Sequence, residues 1–308
     1  MPQNKKSSSL SFRLGLCCIF IDEAVKFRIA YASNLRKFDK KQGIAQISEI
    51  CLSNSKNLLA ALKTLKRLKI GAFRVNSQFF PLYTHPEVGY QLKDLNDREE
   101  IESILSDCRT FARDNDIRLS FHPDQFVIIS SPREDVVKSS IAELEYQSSL
   151  SEMIGAEVVN IHVGGRYEGK KETFLRFRKN FKRLSSFARS LITIENDDII
   201  YTPSDVEELA SSIGIPFVYD IHHHRCNRDS LSEKKATELC VKSWKRFRPG
   251  QEPYFHISSS RSPGAREHSD YIDVKDFPDF WKDIHATIDV EAKAKNLAVA
   301  KLMRDLGA

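Results

Sequence analysis

Eight short runs with strand character recur along the 308-residue chain, separated by stretches with helical pattern: FRLGLCCIF (12–20), IGAFRVNS (70–77), IRLSFHPDQF (117–126), EVVNIHVGG (157–165), LITIEND (191–197), PFVYDIHHH (216–224), PYFHISSS (253–260) and ATIDVEAK (286–293). Strands that alternate with helices lie parallel, because each return needs a crossover. Eight such units predict closure into a single (β/α)8 TIM barrel, with a doubly wound open sheet as the competing arrangement. Leu58, Leu62 and Leu65 share one helical face, and Gly71 is the expected stop. Ser131-Pro132 with Glu134 reads as a capping box opening a helix with Val137, Ile141 and Leu144 on one face and its end near Gly155. Thr202-Pro203 repeats the start signal, and Val299, Leu302, Met303 and Leu306 form the last apolar stripe. No linker or repeat divides the chain, so one barrel domain is expected over 11–308. The polar MPQNKKSSSL (1–10) reads as a disordered tail rather than a signal peptide. Residues 20–45 show the weakest pattern and are expected to form a long active-site loop beginning with Phe20 to Tyr31.

Composition sets outer limits. No run of about 18 apolar residues exists, so no membrane-spanning helix is expected. Six scattered cysteines without a CxxC pair read as reduced thiols of a cytoplasmic protein, nucleoid-associated if bacterial. A net charge of +5 permits nucleic-acid binding only through a local basic surface.

The position of the polar residues carries more. In a barrel of this type, functional side chains sit at the C-terminal ends of the strands. Six successive runs end in a residue able to bind metal: His122, His162, Glu195, Asp220 with the triplet His222-His223-His224, His256 and Glu291. His85 and His268 lie in loops that follow strands, whereas His285 lies elsewhere. A lone histidine at a strand end is usually a hydrogen-bonded structural residue. Several carboxylates converging without a cation would instead cost several kcal/mol each in desolvation and repulsion. A divalent cluster removes that conflict. Imidazole and carboxylate without thiolate suit Zn²⁺, Mn²⁺ or Fe²⁺. Glu195, Asp220, His256 and Glu291 would fill one site and form the catalytic set. His122 and His162 would form a second, with Glu195 bridging, and His223 and His268 a third. Two or three adjacent metals suit phosphodiester hydrolysis. The spacing Asp220-x-x-His223 singles out His223 of the triplet, leaving His222 and His224 as supporting or rim residues.

At these residues the sequence resembles the UV-damage endonuclease family, from about residue 12 to 306. The resemblance rests on FRVNSQFFPLYTHPEV, RLSFHPDQF, VNIHVGGRYEGK, ITIENDD, FVYDIHHHRCN, FHISSSR and VEAKAKNLAVAKL. It implies a xylose-isomerase-like TIM barrel related to the metal-dependent apurinic-site endonucleases. The implied activity is ATP-independent incision of double-stranded DNA on the 5′ side of UV photoproducts, with divalent metals, often Mn²⁺, opening an excision-repair route. The implied ligands are His122, His162, Glu195, Asp220, His223, His256, His268 and Glu291, with His85 lining the same site. Gln125 and Phe126 match a polar–aromatic pair that wedges into the duplex, as an apolar side chain can when bases leave the stack.

Two positions depart from the family. Tyr254, which parity points into the site, stands where many members carry a lysine able to bridge metals after modification. Leu16 stands where many carry tyrosine, and Phe20 is the nearby aromatic that could replace it. Loop cations Arg133, Arg166, Lys170, Lys171, Arg225, Arg228, Arg261 and Arg266 are expected on the catalytic rim, facing phosphates. Gly164 and Gly165 permit close backbone approach, to phosphate or in a plain turn. A monomer acting on damaged duplex DNA is expected. An apurinic-site endonuclease, a metal-dependent sugar isomerase or epimerase on the same barrel, and a non-enzymatic damage-recognition protein are the rival readings.

Overall fold

A parallel strand buried on both faces must pair on both edges, and here every strand does. In the computed structural model, which describes residues 11–307, β1 (Arg13–Cys17) is followed by α1 (Ala32–Leu35), α2 (Lys40–Leu68), β2 (Ala72–Val75), α3 (Arg98–Asp114), β3 (Arg118–Phe121) and α4 (Glu134–Ile154). Then come β4 (Val158–His162), α5 (Lys170–Phe181), α6 (Ser186–Leu191), β5 (Ile192–Glu195), α7 (Pro203–Ile213), β6 (Phe217–Asp220), α8 (Ile221–Cys226), α9 (Glu233–Phe247), β7 (Tyr254–Ile257), β8 (Thr287–Val290) and α10 (Lys295–Asp305). The strands close in sequence order, β1 pairing with both β2 and β8, which rules out the open sheet. The expected tail, 1–10, lies outside the described residues. No helix among the described residues is long and apolar enough to cross a membrane. All six cysteines are free.

Local signals explain several helix ends, and three expectations need correction. The side chain of Asp39 caps α2 in a reciprocal box with Gln42, so helix already occupies residues 40–45. The preceding loop is tied down: Asn54 bonds both backbone groups of Arg28, and Asn296 accepts from the Ile21 N–H. Lys69, at φ 57°, ends α2 with Ile70 N–H donating to the Leu65 carbonyl. Gly71 does not stop the helix but makes room beside β1, since a Cβ there would lie 2.7 Å from that of Arg13. Ser131 does not cap α4. Arg133 is the residue before the helix, and Ser131 Oγ accepts its N–H instead. Gly155, at φ 76°, ends α4, and Thr202 with Asp205 forms the box that starts α7 behind Pro203.

The seventh crossover carries no α-helix. Two short 3₁₀ turns, Val274–Asp276 and Asp279–Trp281, replace it in a segment interrupted by Pro263 and Pro278. Trp281 fills the helix's place, fully buried with its ring 4.7 Å from that of Phe255. The opposite end of the barrel from the strand C-termini is closed by Arg118. Its guanidinium lies over Trp244 and Tyr254, and donates to the Glu252 carbonyl and Thr287 Oγ1.

Candidate metal centre and catalytic face

Side chains alternate along a strand, so every second residue points into the barrel. The register sets His162 opposite Glu195, Asp220 opposite His256, and His256 opposite Asp289. His122 and Glu291 directly follow β3 and β8, and the Glu291 N–H still pairs with the Ile257 carbonyl. Glu195 becomes the hub. His122 Nε2 lies 3.1 Å from its Oε2, while His256 Nδ1 and His223 Nδ1 lie 3.1 and 3.3 Å from its Oε1. Asn160, also on β4, donates to Oε2 at 2.5 Å and accepts from Thr193, which fixes the carboxylate plane. Two ligand-competent groups meet at Glu195: His122 with His162, and Asp220 with His256, each within 4.8 Å.

The triplet sits on α8. Asp220 is its N-cap and accepts the His223 N–H at 2.7 Å. A helical step of about 100° per residue sends the three imidazoles in different directions. His223 turns to Glu195 and Asp220. His222, buried, lies 2.9 Å from the Arg266 carbonyl, and His224 bonds the Tyr219 hydroxyl and Asp229. His268 arrives from the loop after β7, held by a bridge to Ser260, with Nδ1 3.9 Å from Glu291.

Sequence reasoning missed the counterions inside the barrel. Arg74 on β2 is buried and places Nη1 2.6 Å from Glu291 Oε1, Nη2 3.1 Å from Asp289 Oδ2 and 2.9 Å from His256 Nε2. Asp289 has room because β1 carries glycine opposite it; a Cβ on Gly15 would lie 2.0 Å from Asp289 Oδ1. An arginine at an inward parity position of an all-buried strand was the available signal, since a buried charge demands partners.

The electrostatics follow. Burial pushes the Glu195 carboxyl up, but the charge of His256 and the close contacts of His122 and His223 hold it well below its ordinary range. Burial likewise acts on Glu291, where Arg74 and His256 win and lower it. Asp220 goes the other way: burial raises it, although His223 opposes this. Burial drives His162 down to about 4, so it is a neutral imidazole at pH 7. Within the site, the buried atoms His162 Nδ1, Asp220 Oδ2 and Asp289 Oδ1 lack a hydrogen-bond partner, and Glu195 Oε1 meets His256 Nδ1 and His223 Nδ1 only as close ion contacts. Neutral imidazole and ionised carboxylate with spare lone pairs form a donor set that fits divalent cations.

Several expected site residues lie elsewhere. Tyr254 is one layer below His256, its hydroxyl donating to Ser120 and its ring under Arg118. It therefore lines the floor and offers nothing to a cation. His85 lines a side cavity between the loops after β2 and β3, with Nδ1 accepting the N–H groups of Glu87 and Val88. Leu16 pairs in register with Phe73 and Val290, which places it on the helix side of β1. Phe20 is buried against Phe73, so it cannot replace a surface aromatic. Arg225 is locked to Glu233 and Asp276, Arg133 to Asp135, and Lys170 to Asp205. Arg166, Lys171, Arg228 and Arg261 are exposed with no carboxylate partner among the described residues, and Arg266 lies 3.8 Å from Asp198. Gln125 and Phe126 project from the loop after β3, Phe126 with 73% of its surface exposed. Gly164 answers to packing, at φ 103° against Ile128 and Ser130, which favours the plain turn.

Comparison with known proteins shows the family. The profile of the family described as UV-endonuclease UvdE matches residues 12–308. The UV DNA damage endonuclease of Bacillus velezensis is 30% identical over 96% of this chain and 94% of its own. The UV-damage endonuclease of Schizosaccharomyces pombe is 33% identical over 95% of this chain and 50% of its own. The crystal structure of SacUVDE superposes with a TM-score of 0.83 at 29% identity, covering 96% of this chain and 99% of that one. Endonuclease IV from Thermus thermophilus shares the fold, with a TM-score of 0.60 at 12% identity over 96% of this chain and 98% of its own. A barrel whose strand ends gather histidine and carboxylate around Glu195, matched along almost its whole length, places this chain in the UV-endonuclease UvdE family and so among the endonucleases.

Proposed function

We propose that this protein is a DNA-repair endonuclease that cuts one strand of duplex DNA on the 5′ side of UV photoproducts, as a monomer, using two or three divalent cations, Mn²⁺ foremost. The observation that carries the reading is Glu195, shared between two ligand groups in which the buried Asp220 Oδ2 and His162 Nδ1 lack hydrogen-bond partners. His122, His162 and Glu195 would hold one cation, and Glu195, Asp220, His256 and Glu291 another. His223 and His268 would hold a third, which lacks the lysine that Tyr254 replaces. Cations bound there supply Lewis acidity toward a phosphoryl oxygen and lower the pKa of a bound water.

The chain's own residues do the rest. Asn160 and Thr193 orient Glu195. Arg74 pairs with Glu291 and Asp289 and holds both in place. Asp220, through its cap on α8, aims His223. Arg166, Lys171, Arg228, Arg261 and Arg266 supply phosphate-facing charge on the rim, and Phe126 with Gln125 supplies the wedge.

The test is incision of a duplex bearing one defined photoproduct, with Mn²⁺ and with EDTA, beside an abasic duplex. Metal-dependent cleavage 5′ to the photoproduct is expected. Cleavage of the abasic duplex alone would overturn the photoproduct reading, and cleavage of neither would return the barrel to sugar chemistry.

A further inference from the structure

The chain leaving β5 touches both ends of α8 through Asn196 and Asp197. β5 and β6 pair at two stations, Ile194 with Phe217 and Glu195 with Val218. Asp220, two residues further along β6, has no register partner in β5. The Asn196 side chain takes that place. Its Oδ1 accepts the Asp220 N–H at 3.0 Å, and its Nδ2 donates to the Asp220 carbonyl at 2.8 Å. A primary amide offers a donor and an acceptor in one plane, so it stands in for a peptide group of the missing strand. Asn196 is fully buried, so water does not compete for these bonds.

Backbone groups of the same segment continue the clamp. His223 Nδ1 lies 3.0 Å from the Asn196 carbonyl. The Asp197 carbonyl accepts from Asn227 Nδ2 at 3.2 Å, just past the end of α8. The segment is itself tied: the Asp197 carboxylate accepts the N–H groups of Ile199, Ile200 and Tyr201, and its N–H donates to the Tyr201 carbonyl. A helix of six residues does not hold itself, so its placement comes from these outside bonds.

Three oxygens face His223 Nδ1: the Asn196 carbonyl at 3.0 Å, Glu195 Oε1 at 3.3 Å and Asp220 Oδ2 at 3.6 Å. Acceptors on that side keep a proton on Nδ1. Glu195 and Asp220 are candidate cation ligands, and a bound cation competes for their lone pairs. The Asn196 carbonyl is the acceptor that remains. A ligating histidine donates its other ring N–H to such a group, which fixes its tautomer and ring plane.

Resting on the endonuclease reading, we infer that Asn196 is a positioning residue for two members of the metal centre. Its side-chain amide sets Asp220, and its carbonyl sets His223 with Nε2 turned to a cation. Asn160 acts on Glu195 from β4, so the two asparagines serve different carboxylates.

The experiment titrates the metal-free full chain with Mn²⁺ by calorimetry, beside incision kinetics on the photoproduct duplex. In Asn196→Ala the cations held by Asp220 and His223 should bind about 10–100-fold more weakly, with the class held by His122 and His162 within about threefold of wild type. kcat should fall about a hundredfold with KM within about threefold, because the buried amide meets no DNA. Adding His223→Ala should weaken Mn²⁺ binding by less than the two single losses combined, since both act through one imidazole. Strict additivity would overturn the route through His223. A lowered Tm with Mn²⁺ affinity and kcat unchanged would make Asn196 packing alone and overturn the positioning role. One readout needs no Asn196 variant: nitrogen-15 spectra of the Zn²⁺-loaded wild type, with His223 assigned by its loss in His223→Gln. The proton is expected on Nδ1, and a proton on Nε2 would overturn the inference while leaving the endonuclease reading intact. A wild type that neither binds Mn²⁺ nor incises would overturn both.

Discussion

Arg74→Met removes a guanidinium from inside the barrel while keeping most of its length. In the metal-free protein Arg74 neutralises Glu291 at 2.6 Å and Asp289 at 3.1 Å, both side chains largely or wholly buried. Breaking a buried pair from one side leaves the other charge uncompensated, which costs about 3–5 kcal/mol. An unfolding entropy of roughly 2.1 cal/mol/K per residue gives this chain about 0.65 kcal/mol/K. The metal-free variant should therefore melt about 5–8 °C below wild type. Calorimetry with and without Mn²⁺ adds a second readout. Cations at Glu291 and its neighbours would neutralise the same carboxylates, so Mn²⁺ should raise the variant's Tm more than that of the wild type. A metal-free Tm within about 1 °C of wild type would refute the counterion role. An equal Mn²⁺ shift in both proteins would show that metal and Arg74 do not share those carboxylates.

Glu195→Gln keeps the shape but removes the shared charge, and should lower kcat/KM at least about a hundredfold in the incision assay; full activity would remove Glu195 from the centre. Asn160→Ala frees the Glu195 carboxylate and should weaken Mn²⁺ binding about 10–100-fold by titration calorimetry, whereas unchanged affinity would make Asn160 mere packing. Phe126→Ala should cost about tenfold in kcat/KM on damaged duplex with little change in Tm, since the ring is exposed; equal rates would deny the wedge. Between its ordinary 6.5 and about 4, His162 stays unprotonated in the native protein while the unfolded chain takes up a proton. In metal-free urea titrations stability should therefore fall as pH drops through that window, by up to about 3 kcal/mol from this residue. The fall should be shallower in His162→Gln, and an identical slope would show that His162 titrates normally.

The ring of strand ends was legible because the period of two marks which side of a barrel strand each residue faces. His122, His162, Glu195, Asp220, His256 and Glu291 all arrive where that parity sends them. The same parity applied to FRVNS and TIDVEAK marks Arg74 and Asp289 as inward, although neither sits at a strand end. What parity cannot supply is the course of loops. Family position assigns His85 to the centre, but its loop carries it to the side cavity. Charge alone offered Arg225 to DNA, yet Glu233 and Asp276 claim it. Ser131 had the right spacing for a cap, and a backbone N–H two residues on took its oxygen first.

Backbone pairing of neighbouring strands has a further consequence. His162 faces Glu195 across one ladder, and Asp220, His256 and Asp289 lie in line across two more. Distances between those side chains are therefore quantised. The smallest slide a strand can make is one residue, about 3.3 Å, and it also turns every inward group outward. The ring cannot be retuned by small displacements, only by exchanging a side chain at a fixed station or by reaching in from a loop. His268 is the loop-borne member, anchored by its bridge to Ser260 and by backbone bonds of Glu267 and Ser269 to the same segment. It is the position at which barrels of this build can gain, lose or reposition a metal-binding group without disturbing the strands.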